Sequence, residues 1–160
     1  GVVEILIKNL PITIHSMKCA VLGYGKVGKV LANTLKNLGA DVTVFARKER
    51  DLADASIKFY RTATFYELAK KEFTFDALIN TVPEKVLSHD EMKNLNQECL
   101  FIEIASSPFG IDFQAAKEYA FDVIKANSLP GKVAPKTAGE IIGRSILPII
   151  EKRGGNKWKL

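Results

Sequence analysis

Apolar and polar positions along the chain follow two alternating periods. Short continuous apolar runs are typical of strands buried on both faces, and they are separated by segments in which apolar residues recur every three or four positions. This alternation predicts a parallel sheet with helical crossovers. The predicted strands cover residues 18–22, 41–46, 57–60, 77–81, 100–105 and 123–126.

Helical periodicity marks the segments between these strands. The predicted helices cover residues 1–9, 25–38, 47–55, 64–72, 88–95, 112–120 and 137–153. The second helix is expected to bury one face made of Val27, Val30, Leu31, Leu35 and Leu38. Gly39 follows as its C-cap, because glycine adopts the left-handed conformation there at little cost. Pro148 is expected to kink the last helix.

The fold class predicted from these elements is α/β, a doubly wound parallel sheet of six strands in the order 3-2-1-4-5-6 behind a leading hinge-type helix. Residues 1–160 are interpreted as a single domain, since the length suits one complete core. Right-handed crossovers place every strand's carboxyl end at one edge, where ligands bind. The residues just after each strand are therefore the candidates for chemistry.

A glycine-rich turn follows the first strand and opens the second helix. The residues Gly23-Tyr24-Gly25-Lys26-Val27-Gly28 read G-x-G-x-x-G. In this context the first glycine permits a tight turn, the second lets the backbone approach a pyrophosphate, and the third lets the helix pack closely on the strand. Free N–H groups at the helix start attract the anion. We interpret all six residues as cofactor-binding, although a tight turn without a ligand also explains glycines.

The end of the second strand bears on which nicotinamide cofactor is bound. An NAD-preferring domain usually has an acidic residue there, which accepts hydrogen bonds from the ribose hydroxyls. This chain has Ala46, Arg47 and Lys48 instead. Cationic groups attract the 2′-phosphate of NADP, so the sequence favours NADP with NAD tolerated. The other interpretation is a solvated basic loop.

Small and polar residues follow the fourth and fifth strands, where the nicotinamide half of the cofactor is expected. They are Asn80, Thr81, Val82, Pro83, Ala105 and Ser106. Small side chains let a ribose approach the backbone, and a proline sets the direction of the chain. Plain strand-terminating turns remain the alternative for both segments.

The segment 129–139, Leu-Pro-Gly-Lys-Val-Ala-Pro-Lys-Thr-Ala-Gly, joins the last strand to the last helix. Two prolines are expected to stiffen it, Gly131 to adopt a positive φ, and Lys132 and Lys136 to project beside the start of a helix at Thr137. This combination suits an anionic group. A rigid connector with surface lysines is the other interpretation.

Composition narrows the function classes. Apolar residues make up 47 % and charged residues 26 % of the chain, and the net charge of +5 is scattered, which argues against a nucleic-acid partner. No apolar run reaches the roughly 20 residues of a membrane span. Cys19 and Cys99 fall at predicted buried strands and suit reduced thiols, not a metal site. The catalytic acid or base is not identifiable, since no paired carboxylates or nucleophile motif is present.

The opening helix, the run Ala20–Gly28 and above all the segment 129–139 resemble the dipicolinate synthase family of spore-forming bacteria, specifically its A subunit. The resemblance covers nearly the whole chain, but only as the C-terminal, NAD(P)-binding Rossmann half of a two-domain protein. It therefore implies that a catalytic N-terminal domain is absent from this chain. It also implies that the partner is the flavoprotein-like B subunit of the synthase, allows a homo-oligomer, and places the protein in the cytoplasm of the mother cell.

The activity that the resemblance implies is NADP-linked oxidation of a dihydrodipicolinate-level intermediate to dipicolinate. Lys132, Lys136 and Thr137 then become candidates for binding the dicarboxylate substrate. The isolated chain would bind cofactor and turn over little. Two alternatives remain at this stage. One is the cofactor domain of a D-2-hydroxyacid or shikimate-type dehydrogenase, and the other is a regulatory domain that senses nucleotides.

Overall fold

The structure, a computed structural model, describes residues 1–154. Residues 155–160, which complete the predicted domain 1–160, lie outside the described residues. The chain divides into two compact units, Val2–Asn127 and a second made of Gly1 with the segment that starts at Ser128, and each is described by itself. Among the described helices, none is long and apolar enough to cross a membrane.

The first unit is built on six parallel strands. They are β1 Lys18–Leu22, β2 Asp41–Phe45, β3 Arg61–Ala63, β4 Ala77–Asn80, β5 Leu100–Glu103 and β6 Val123–Lys125. Their order is β3-β2-β1-β4-β5-β6, which confirms the predicted doubly wound sheet. Every residue of β4 and β5 is buried, as expected of central strands covered on both faces.

Within residues 1–154, six helices belong to the first unit and two to the second. They are α1 Val2–Asn9, α2 Lys26–Asn37, α3 Glu49–Ile57, α4 Phe65–Leu68, α5 His89–Met92, α6 Phe113–Glu118, α7 Leu129–Val133 and α8 Pro135–Gly154. Gly39 closes α2 as predicted, with a φ of +87°. The Gly39 N–H donates to the carbonyl of Lys36 and the Ala40 N–H to that of Leu35, which forms a Schellman motif.

The third strand begins later than predicted, so the assignment of 57–60 was wrong. Ile57 ends α3, and Phe59 adopts a φ of +59° just after it. The Tyr60 N–H donates to the carbonyl of Ala55, which closes the helix. The strand itself is Arg61–Ala63, paired with β2. A short apolar cluster looks the same at a helix end as in a strand, and only pairing with β2 decides between them.

The buried face of α2 also differs from the prediction. Leu31 and Leu35 are buried as expected, whereas Val27, Val30 and Leu38 are 59 %, 68 % and 44 % exposed. The packed face is shifted toward the small residues Gly28 and Ala32. These let the helix axis approach the sheet closely, so the larger valines turn outward.

The helices predicted over 64–72 and 88–95 are single turns. Each begins with a capping box, Thr64 with Glu67 in α4 and Ser88 with Glu91 in α5. The side-chain amide of Asn94 donates to the carbonyl of Ala69, so a side chain satisfies the backbone after α4 in place of a further helical turn.

Both cysteine thiols are free and buried. Burial raises the pKa of Cys19 to about 12 and raises that of Cys99 as well, because a thiolate is poorly solvated there. Cys19 lies in β1, and Cys99 stands immediately before β5. Their position indicates a packing role, not a reactive one.

Candidate functional site

A cavity of about 470 Å³ opens at the carboxyl ends of β1, β2 and β4. Its lining combines the glycine turn with the loops that follow β2 and β4. The lining residues that the sequence singled out are Gly23, Tyr24, Gly25, Lys26, Val27, Gly28, Ala46, Arg47, Lys48, Thr81, Val82 and Pro83. Residues far apart in the sequence therefore meet at one edge of the sheet, as parallel topology requires.

Two of the three turn glycines are required by the protein itself. Gly23 has a φ of +93°, and a Cβ built there would lie 2.6 Å from Cγ2 of Val82. A Cβ on Gly28 would lie 2.1 Å from the carbonyl oxygen of Gly23. Both positions need glycine to fold the turn and to pack α2 against the sheet, whether or not a ligand binds.

Gly25 is different, because nothing in the protein explains it. A Cβ on Gly25 would meet no atom within 4 Å, and its φ of −76° suits any residue. Gly25 is the N-cap of α2 and lines the cavity, no side chain caps the helix, and no acidic residue occupies its first turn. The first-turn N–H groups thus lack partners within the helix. A bare helix start of this kind fits a pyrophosphate.

The side chain of Tyr24 holds the glycine turn in place through its contacts with neighbouring side chains. Its ring is 3 % exposed and packs edge-to-face on Tyr60, with the centroids 6.1 Å apart. The Lys29 ammonium lies 5.1 Å from the ring centroid and donates to Asp54 at 2.7 Å. This hydrogen bond from Lys29, with a second one from Lys58, lowers the pKa of the Asp54 carboxyl. These contacts link the first turn of α2 to α3.

Opposite charges face each other where the loops after β2 and β4 line the cavity. The loop after β2 supplies Arg47 and Lys48, and the loop after β4 supplies Glu84, a residue that was not predicted from the sequence. Arg47 Nη1 donates to Glu84 Oε2 at 3.1 Å. Ala46 directly follows β2, at the position where an acidic residue would favour NAD. The carboxylates that line the cavity are those of Asp51 in α3 and of Glu84 after β4.

A smaller cavity of about 200 Å³ adjoins the first. Val27, Thr81 and Pro83 line both, and Ile104, Ala105 and Ser106 complete the smaller one. The structure therefore brings the segments after β4 and β5 together. Thr81 Oγ1 also donates to the carbonyl of Leu22 at 2.8 Å, which ties the end of β4 to that of β1.

Asn80 lies behind this lining and not in it. Its side chain is fully buried, and its amide donates to both carboxylate oxygens of Glu103 at 2.9 Å. Glu103 was not predicted either, although one charged residue inside the apolar run Phe-Ile-Glu-Ile-Ala is an available signal. Asn80 and Glu103 are direct partners in the register of β4 and β5.

The candidate substrate residues belong to the second unit. Lys132 lies in the last turn of α7, and Lys136 and Thr137 lie in the first turn of α8, all three exposed. The segment 129–139 is thus helical, which corrects the prediction of a stiff loop. Gly131 is inside α7 and is not among the residues with positive φ. Pro130 lies in the first turn of α7 and Pro135 begins α8, since proline suits a first helical turn.

The described part of the chain contains no group of three or more His, Cys, Asp or Glu side chains that could hold a metal ion. The side chains of Lys, Arg, Asp and Glu that line the two adjoining cavities are those of Lys26, Arg47, Lys48, Asp51 and Glu84. Such groups can bind and orient phosphates and hydroxyls.

Comparison with known proteins places this site in a family. A family model described as "S-adenosyl-L-homocysteine hydrolase, NAD binding domain" matches residues 2–144. That range contains the glycine turn, the six strands and the start of α8.

Individual relatives point to one protein, the A subunit of dipicolinate synthase. The Bacillus subtilis protein is 33 % identical over 150 residues, which are 94 % of this chain and 50 % of that protein. The crystal structure of its Bacillus halodurans counterpart superposes with a TM-score of 0.90 at 32 % identity, covering 94 % of this chain and 52 % of that one. The Bacillus subtilis crystal structure gives 0.91 at 32 %, covering 98 % and 53 %. The chain thus spans about half the length of these relatives.

Proposed function

The chain belongs to the family described as S-adenosyl-L-homocysteine hydrolase, NAD binding domain, and on this premise we propose that residues 1–160 are the cofactor-binding part of a dipicolinate synthase, in its A subunit. The observation that carries the proposal is the open cradle at Gly25, a helix start whose missing side chain no protein contact explains. The likeness to the synthase over nearly the whole chain supports the choice among dehydrogenase-type proteins.

The cofactor we propose is NADP, with NAD as a weaker ligand. The glycine turn and the bare start of α2 would hold the pyrophosphate. Arg47 and Lys48 would face the 2′-phosphate, and Ala46 offers no carboxylate to repel it. The nicotinamide half would lie between Thr81 and Pro83 on one side and Ala105 and Ser106 on the other.

The reaction we propose is oxidation of a dihydrodipicolinate-level intermediate, formed from a hydroxytetrahydrodipicolinate, to pyridine-2,6-dicarboxylate. The bound nicotinamide supplies the hydride acceptor, and loss of that hydride with one proton leaves an aromatic ring. The residues of this chain contribute binding and orientation of the cofactor. Lys132, Lys136 and Thr137 are our candidates for the substrate carboxylates on grounds of charge and residue type. Unchanged KM and kcat in Lys136→Ala would remove that role from Lys136.

The partners follow from the same relationship. We propose that catalysis needs the further half of the sequence found in these relatives, together with the flavoprotein-like B subunit of the synthase, in the cytoplasm of a sporulating cell. Residues 1–160 by themselves would then bind cofactor and form little dipicolinate. Substantial dipicolinate formation by this chain alone would contradict that part of the proposal.

Thermal-shift titration with NADP, NAD, AMP and dipicolinate tests the function, because a ligand raises the melting temperature as its concentration exceeds its Kd. We expect NADP to stabilise more than NAD, and dipicolinate to add stabilisation when NADP is present. The Gly25→Ala variant is the control and should need at least about tenfold more of either dinucleotide for the same stabilisation. If AMP stabilises as much as NADP, a nucleotide-sensing domain is favoured instead. A larger effect of NAD than of NADP would reverse the assignment of the cofactor.

A further inference from the structure

A carboxylate is completely buried at the end of β5. The side chain of Glu103 has no exposed surface, and its hydrogen-bond donors among the described residues are the Asn80 amide and backbone N–H groups, not cations. Five hydrogen bonds reach its two oxygens, two of them from the Asn80 amide. A buried carboxylate is costly unless donors surround it. Glu103 is therefore compatible with the fold only if these donors stay in place around it.

Three of the donors are backbone N–H groups of the segment between β5 and α6. Ala105 donates to Oε1 at 2.8 Å, and Gly110 and Ile111 donate to Oε2 at 2.9 and 3.0 Å. These residues stand at the two ends of the loop 105–111. The carboxylate thus closes the loop on itself and holds the backbone at Ala105, which lines the smaller cavity beside Ser106.

The remaining donor extends the cluster to the neighbouring strand. The Asn80 amide nitrogen also donates to the carbonyl of Val82 at 2.9 Å, and its oxygen accepts from the N–H of Val82 at 3.0 Å. Val82 stands between Thr81 and Pro83, which line both cavities. One hydrogen-bonded pair, Asn80 with Glu103, therefore joins the two segments that face each other across the smaller cavity.

Close packing makes this link stiff. A Cβ on Gly110 would lie 2.4 Å from Nδ2 of Asn80 and 2.6 Å from the carbonyl oxygen of Val82, so only glycine fits. The loop after β5 consequently lies directly against the Asn80 side chain. A displacement of either segment has to move the other.

We propose that Glu103 is a positioning residue for the nicotinamide half of the cofactor site, acting through Asn80. It sets the separation of Thr81–Pro83 from Ala105–Ser106 and so the width of the space for the nicotinamide ring. The inference rests on the proposed function, since it needs a nicotinamide dinucleotide in this cleft. Ala46 and Arg47 line the other end of the cleft, and the hydrogen bonds of Asn80 and Glu103 do not include them, so binding of the adenosine half should change little.

The test compares two ligands that differ only in the nicotinamide ring, NADP and 2′-phospho-ADP-ribose. In Glu103→Gln an amide nitrogen replaces one carboxylate oxygen. The N–H groups that donated to that oxygen then face another donor, so their hydrogen bonds are lost. We expect the Kd for NADP to rise about tenfold and the Kd for 2′-phospho-ADP-ribose to stay within about twofold. The fluorescence of bound NADPH, which reports on the surroundings of the ring, should change in the variant.

Two further variants complete the test. Asn80→Ser breaks the link between the strands but leaves the backbone donors on Glu103, and it should show a milder form of the same selective loss. If Glu103→Gln does not fold, the ligand affinities of Asn80→Ser test the inference in its place. Glu98→Gln is the control, because Glu98 is exposed and precedes β5 at the opposite edge of the sheet. It should bind both ligands as the unaltered protein does.

The results that overturn the inference are distinct. If Glu103→Gln binds both ligands more weakly by the same factor, the substitution has only a general effect on folding. If it binds NADP with an unchanged Kd, Glu103 does not affect the site of the nicotinamide ring. If the unaltered protein binds both ligands equally well, the ring is not recognised, and the inference falls while the dinucleotide site stands. Failure of the unaltered protein to bind either ligand would instead overturn the proposed function.

Discussion

Arg47 and Glu84 form an ion pair across the mouth of the cleft, with 3.1 Å between Nη1 and Oε2. Arg47 follows β2 and Glu84 follows β4, so the pair bridges two loops that both line the cavity. The side chains are 74 % and 64 % exposed, and such a pair adds at most about 1 kcal/mol to stability. In the proposed function, the pair matters because it sets the charge beside the 2′-phosphate of the cofactor. A phosphate with nearly two negative charges is able to compete with one carboxylate for Arg47.

Removal of the arginine should change the preference between the two cofactors. In Arg47→Ala we expect the Kd for NADP to rise about tenfold, since a charged hydrogen bond to the 2′-phosphate is lost, while the Kd for NAD stays within about twofold. Isothermal titration calorimetry with both cofactors measures this. Arg50→Ala is the control, because Arg50 is an exposed arginine of α3 outside the cavity lining. An equal loss for both cofactors would contradict a role in recognition of the phosphate.

Removal of the carboxylate should have the opposite effect. Glu84→Gln frees the guanidinium and removes a negative charge from the mouth of the cleft, so affinity for NADP should rise about three- to fivefold at low salt. The gain should shrink at high salt, because exposed charges are screened. Titrations at two ionic strengths check this, with Glu98→Gln as the control for the loss of one negative charge. If Glu84→Gln binds NAD more tightly but not NADP, Glu84 does not compete with the 2′-phosphate for Arg47.

The two glycines Gly25 and Gly28 should respond differently to the same methyl group. Gly25→Ala should keep a melting temperature close to that of the unaltered protein, because its Cβ enters open space, but lose at least about tenfold in dinucleotide affinity. Gly28→Ala should lose several kcal/mol of folding free energy, about 3 or more, since its Cβ overlaps the Gly23 carbonyl. Thermal melts and titrations separate the two. Unchanged binding in Gly25→Ala would argue against the cradle.

The buried thiols should be inert in the folded protein. Ellman's reagent at pH 8 should label neither Cys19 nor Cys99 in the native state and both in urea. The pKa of Cys19 rises from 9.0 to about 12 on folding, so its contribution to stability is complete below pH 9 and is lost as the pH rises from there through about 12. Chemical denaturation at pH 8 and at pH 10.5 should show the decrease, and a Cys19→Ala variant should show a smaller one. Rapid labelling of the native protein would contradict the burial.

Much of the architecture was predictable from the sequence. Apolar runs such as 18–22 and 77–81 correspond to β1 and β4, because strands covered on both faces are apolar throughout. Alternation with helices then leaves few topologies, and right-handed crossovers select the observed order. The beginning of β3 was not predictable, because its three residues carry no periodic signal and depend on pairing with β2.

The residues of the candidate site also fall into those that the sequence predicts and those that depend on the fold. The glycine turn and the basic residues Arg47 and Lys48 each form a short local run, so local spacing indicates a dinucleotide and favours a phosphorylated one. Glu84 carries no such local signal, and the single charge of Glu103 inside an apolar run marks the residue without indicating its role. Glu84 gains its importance only by reaching Arg47 from another strand, and Glu103 only from donors that the fold places around it.

By itself the sequence determined the type of sheet, the position of the ligand edge and the glycine cradle for an anion, because each depends on a run of neighbouring residues. Only the tertiary structure decided which carboxylates face the cleft, which glycines the protein itself requires, and how Asn80 and Glu103 join its two walls. The physical reason is the distance along the chain over which each interaction acts. Helix periodicity and turn conformation are local properties of the chain, whereas charge pairing and buried hydrogen bonding depend on distances in space that folding alone creates.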